Sequence, residues 1–60
     1  MTTKSLTELG ELMRSEKLAY KKCCNYVSET DNADLKKALG SLANGHKHRY
    51  ETLVGYLDRN

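Results

Sequence analysis

Three side chains stand where a helix would ordinarily carry leucine: Glu16, His46 and Arg49. Leu35, Leu39, Leu42, His46, Arg49 and Leu53 step by four and three residues in turn, and so do Leu6, Leu9, Met13, Glu16, Tyr20, Cys23 and Val27. That step marks one face of a helix against a partner. A carboxylate, an imidazole and a guanidinium in such a stripe are costly to desolvate unless they satisfy one another or hold an ion. Two chemistries follow. A Glu and a His can ligate a divalent metal, and a Glu and an Arg can neutralise each other. His48 lies two residues off the stripe and is expected in solvent. Cys23 is expected to pack as a small apolar residue, with Cys24 on its flank.

Two helices must position these groups. The segment "SETDNAD", residues 28 to 34, gathers short polar side chains between the two periodic stretches, and this is turn chemistry. Asp31 or Asn32 would cap the second helix, and Asp34 suits its first turn. The pattern predicts an all-α chain, a single helical-hairpin domain over 1–60 with helices at about 5–28 and 33–58. Thr30 is the centre of the turn. Glu16 lies 14 residues before it and His46 16 after, so an antiparallel hairpin brings them to the same height, with Arg49 one turn beyond. The hydroxyls of Tyr20 and Tyr50 are expected to join this cluster.

A 60-residue chain makes one domain and usually needs disulfides, a metal or oligomerisation as support. The cysteines are adjacent, which is not a disulfide framework. Leu12, Ala19 and Tyr26 widen the first stripe. Ala43, Tyr50 and Leu57 widen the second on one side, and Ala38, Gly45 and Thr52 on the other. One partner helix cannot cover stripes this broad. A homodimer, or a higher even oligomer, forming a four-helix bundle would cover them. Gly10, Gly40, Gly45 and Gly55 each cost a helix about 1 kcal/mol relative to alanine. A close helix approach at Gly45 would offset one of them.

The remaining composition excludes more than it suggests. Ten basic and eight acidic residues interleave to a net charge of +2, which argues against nucleic acid as a partner. No apolar run is long enough for a membrane span and no signal peptide is recognisable. Free thiols then point to a cytoplasmic setting. No Ser/His/Asp arrangement or phosphate-cradling loop is present, so catalysis is not expected.

The run "SEKLAYKKCCNYVSETDNADLKKALGSLANGHKHRYETLVGYL" resembles the helical hairpin of the ferritin-like superfamily, rubrerythrin type, over about residues 6 to 57. That family carries a Glu ahead of an aromatic on its first helix and Glu-x-x-His within "LAxxExxH" on its second. Two such hairpins build a carboxylate-bridged diiron bundle. The resemblance implies that Glu16 is the first-helix metal ligand. "LANGHKHR" aligns with the second motif, so His46 takes the Glu position and Arg49 the His position. Arginine cannot ligate a metal. The implied site is therefore reduced to Glu16 and His46, which in a dimer suit one divalent ion such as Fe, Mn or Zn. The alternative is an interaction or scaffold module, with its own protein partner, in which a Glu16–Arg49 pair replaces the metal. The chain also resembles a two-helix phosphatase of the sporulation-regulating type in size and architecture. Its "SEKLA" has Ala19 where that family's motif needs Asp, and is one residue short.

Overall fold

Short polar side chains start and stop both helices. The computed structural model describes residues 1–59, and Asn60 lies outside them. Helix α1 runs Thr3–Glu29 and helix α2 Ala33–Asp58. Thr2 caps α1 by accepting from the Ser5 amide at 3.1 Å, and Asn32 caps α2 by accepting from the Leu35 amide at 2.9 Å. Such caps satisfy amides that have no partner within the helix. Asn32, not Asp31, is the cap, and Asp34 occupies the first turn. The α1 helix ends where Thr30 turns extended, its amide still reaching the Tyr26 carbonyl at 3.0 Å. The Thr30 hydroxyl then accepts from the Asn32 amide at 3.2 Å. Three residues thus close an antiparallel hairpin whose Cα envelope is 45 × 15 × 11 Å.

The interior is one layer thick. Leu9, Cys23 and Ala43 are buried, and no side chain is fully enclosed. Met13, Glu16, Tyr20 and Val27 are half-buried along α1, as the sequence predicts, while Leu6 at the open end is exposed. The second stripe differs from expectation. Leu39, Ala43, His46 and Tyr50 face α1, whereas Leu35, Leu42 and Arg49 are turned outward. The cause is geometric. The inward positions Leu39, Ala43, His46, Tyr50 and Leu53 still step by four and three, so α2 is rotated as a whole about its axis and the stripe is displaced to one flank. The small Ala43 lies on the side toward which α2 has turned.

Gly40 and Gly55 have nothing within 4 Å of where a Cβ would stand, and neither has a positive φ. Each therefore weakens its helix without a steric return. Gly40→Ala and Gly55→Ala are expected to stabilise the hairpin by about 1 kcal/mol apiece. At fixed protein concentration, each should raise the thermal midpoint by about 4–8 °C in a domain of this size. Circular dichroism melts check this, and an unchanged midpoint would contradict it.

Candidate functional site

Halfway along the hairpin the three polar side chains meet, as their positions about the turn predict. Glu16 comes from α1, and His46 and Arg49 from successive turns of α2. Arg49 Nε donates to Glu16 Oε2 at 2.9 Å, and His46 Nδ1 lies 3.2 Å from the same oxygen. Arg49 Nη2 is 3.0 Å from His46 Nδ1. A guanidinium only donates, so Nδ1 serves one partner at a time. Unprotonated, it accepts from Arg49. Protonated, it donates to Glu16.

The cluster is half-buried, unlike the enclosed one the stripe predicts. The side chains of Glu16 and His46 keep 20% and 21% of their surface, but Arg49 keeps 55%. The guanidinium therefore lies over the polar pair from the solvent side, consistent with the outward turn of α2. Gly45 explains how it fits. A Cβ there would stand 3.2 Å from Arg49 Nη1 and 3.8 Å from Cζ, so this glycine leaves room for the guanidinium and not for a neighbouring helix. Gly45→Ala should accordingly gain less stability than Gly40→Ala. The tyrosines do not join the cluster. The Tyr20 phenol is instead influenced by the Cys24 thiol one turn on, which pushes its pKa above the ordinary value. Cys24 and His48 are exposed.

Desolvation works against the charge on Glu16, but the hydrogen bonds with His46 and Arg49, together with the Arg49 charge, outweigh it. Glu16 therefore titrates below the usual carboxylate range. The folded state holds its proton less tightly than the unfolded chain. The resulting stabilisation is complete above the unfolded carboxylate pKa and is lost as pH falls through the depressed folded value. Glu16→Gln should lower the thermal midpoint at neutral pH, and the gap from the parent should close as pH drops through the carboxylate range. Melts over that range check this, and a gap independent of pH would overturn it.

As a metal centre the donor set is thin. No group of three or more His, Cys, Asp or Glu side chains capable of holding an ion exists among the described residues. Glu16 and His46 do converge, but Arg49 stands within hydrogen-bond reach of both atoms an ion would need. A fixed cation in that position does not fit a divalent metal within one chain.

Around the cluster, a shallow groove is lined by Leu12, Glu16, Arg49, Thr52 and Leu53. It meets at Leu12 a second hollow that includes Met1, Leu9 and Tyr56. Toward the turn, Tyr26, Leu35 and Leu39 line another. Leu42 lies seven residues from both Leu35 and Arg49, two turns away on the same stripe. Leu12, Tyr26, Leu35, Leu42 and Tyr56 keep between 46% and 58% of their surface, so one side of the hairpin is an exposed apolar face from end to end. No helix among the described residues is long and apolar enough to cross a membrane. No protein-family model, curated protein or solved structure matches the chain.

Proposed function

We propose that this chain is a helical interaction module. Two copies pair through the face bearing Leu12 and Leu42 to form a four-helix bundle, and the Glu16–His46–Arg49 cluster sets its register. The observation carrying this reading is the guanidinium of Arg49, which holds Glu16 Oε2 at 2.9 Å and lies 3.0 Å from His46 Nδ1. A neutralised polar cluster beside an apolar face specifies alignment without requiring an ion. The surface area supports pairing. A compact monomer of 6.8 kDa exposes about 4,000 Å², whereas this chain exposes 4726 Å². The excess of about 700 Å² is close to the ~800 Å² that each partner contributes to a standard interface. The bundle is the arrangement implied by the ferritin-like resemblance, with arginine in the place of the second helix's ligand.

A second reading keeps the metal. His46 Nδ1 and Glu16 Oε2 stand 3.2 Å apart, a separation that two ligands of one ion can have. An Fe, Mn or Zn ion shared across the dimer would then require Arg49 to swing into solvent, and that side chain is half-exposed.

One sample distinguishes the readings. Light scattering after size exclusion should give a dimer or a higher even oligomer, and elemental analysis of the same peak should give no stoichiometric metal. About one ion per dimer would favour the second reading. A well-folded monomer at micromolar concentration would overturn both.

A further inference from the structure

The other side of the hairpin carries a second groove of different character. Tyr20 and Tyr50 line it with Lys17 and Lys47, and it continues past Met13 and Arg14 to Leu57. None of its lining residues is acidic, and it shares none with the hollows around Leu12. Met13, Tyr20 and Tyr50 are half-buried and form the floor, while Arg14, Lys17 and Lys47 are exposed at the rims. The rim cations have no ion-pair partner among the described residues, and even Glu51, four residues beyond Lys47, is not paired with it. On α1, Arg14, Lys17 and Lys21 follow at spacings of three and four, so neighbours along this edge repel. Repulsion of this kind, left uncompensated within the chain, is relieved by an anionic partner.

The geometry points to this groove as the docking site for an acidic amphipathic helix of another protein. The apolar stripe of that helix would lie on Met13, Tyr20 and Tyr50. Its carboxylates would lie between Lys17 on one rim and Lys47 on the other. A groove between two helices is where a third helix packs, and an apolar floor between charged rims is the complement of an amphipathic helix. The half-buried tyrosine rings fit a packing floor better than a base-stacking platform. A second copy does not suit this side by symmetric pairing, because a two-fold axis would set Lys17 and Lys47 against their own equivalents. The inference is independent of pairing through the opposite face.

The test uses the full chain and a labelled synthetic three-heptad peptide with leucine on its stripe and glutamate at the flanking positions. The same peptide with lysine for glutamate, and a single-stranded oligothymidylate, serve as comparisons. Fluorescence anisotropy should show the acidic peptide binding, with affinity falling as salt rises. Lys17→Glu with Lys47→Glu should weaken it at least tenfold, while circular dichroism stays unchanged. Lys22→Glu with Lys37→Glu alters net charge equally, away from the groove, and should leave binding within twofold. Equal loss in both variants, no binding of the acidic peptide, or equal binding of the basic one would overturn the proposal. Tighter binding of the oligothymidylate would reassign the groove to nucleic acid. Growth of the protein alone beyond a closed oligomer, abolished by the Lys17/Lys47 variant, would reassign it to a second copy.

Discussion

Leu12→Glu combined with Leu42→Glu is expected to abolish assembly and, with it, most of the helical signal at micromolar concentration. Both side chains are more than half exposed in the isolated hairpin. If the hairpin were the whole functional unit, the exchange would be a surface substitution worth within about ±0.5 kcal/mol. If the face is buried in a bundle, covering the exposed half of each leucine contributes roughly 1–1.5 kcal/mol per chain. A carboxylate placed there adds a desolvation cost. The two cases differ by several-fold in energy, so the readout is decisive. Sedimentation velocity should show a slower, lighter species, and circular dichroism should show loss of helix that recovers only at high protein concentration. A variant that keeps both the mass and the melting midpoint of the parent would remove this face from the interface.

The second large effect is a gain. His46→Glu with Arg49→His removes the guanidinium from Glu16 and writes Glu-x-x-His into the second helix. Arg49 and Glu16 line the groove on the Leu12 face, so a second copy on that face would bring two such sets together. The dimer would then offer four carboxylates and two imidazoles, a donor set for two iron or manganese ions. Titration with Co(II), followed by absorbance, should give about two ions per dimer for the variant. Saturation should also raise its melting midpoint, since a ligand present at 1,000 times its dissociation constant adds about 4 kcal/mol to the folded state. A variant that dimerises yet binds no more cobalt than the parent would show that the two Glu16 side chains do not face each other. The ferritin-like arrangement would fall with that result.

Much of this architecture is legible in the sequence because it depends on local rules. The hairpin follows from two long periodic stretches about "SETDNAD". The meeting of Glu16 with His46 and Arg49 follows from their distances to the turn. Gly45 is misread as a point of close helix approach, although a helical side chain leans toward the residue four positions earlier and so places Arg49 over it. The same rule pairs Tyr20 with Cys24, a neighbour missed by assigning the tyrosine to the polar cluster. The rotation of α2 was not legible. Leu35, Leu42 and Arg49 lie along one flank of the stripe and Ala43 and Tyr50 along the other, and both flanks are apolar enough to be read as the inner one. Which of two flanks then turns inward depends on packing against α1, and that is a property of both helices together. The separation of an apolar groove from a basic one is hidden for the same reason, since it depends on which residues of α1 and α2 share a side.

The turn decides what kind of assembly is open to the chain. Only Thr30, Asp31 and Asn32 separate the helices, and a joint that short invites exchange, in which it straightens and each helix packs on the other chain's mate. Here the joint is pinned from within. The Thr30 amide is tied back to Tyr26, the Thr30 hydroxyl receives the Asn32 amide, and the Asn32 side chain receives the Leu35 amide. Straightening into one continuous rod would break the two side-chain bonds and require extended Thr30 and Asn32 to become helical. The local preference is therefore for each chain to pair its own two helices, and exchange of a helix between copies is disfavoured at the turn.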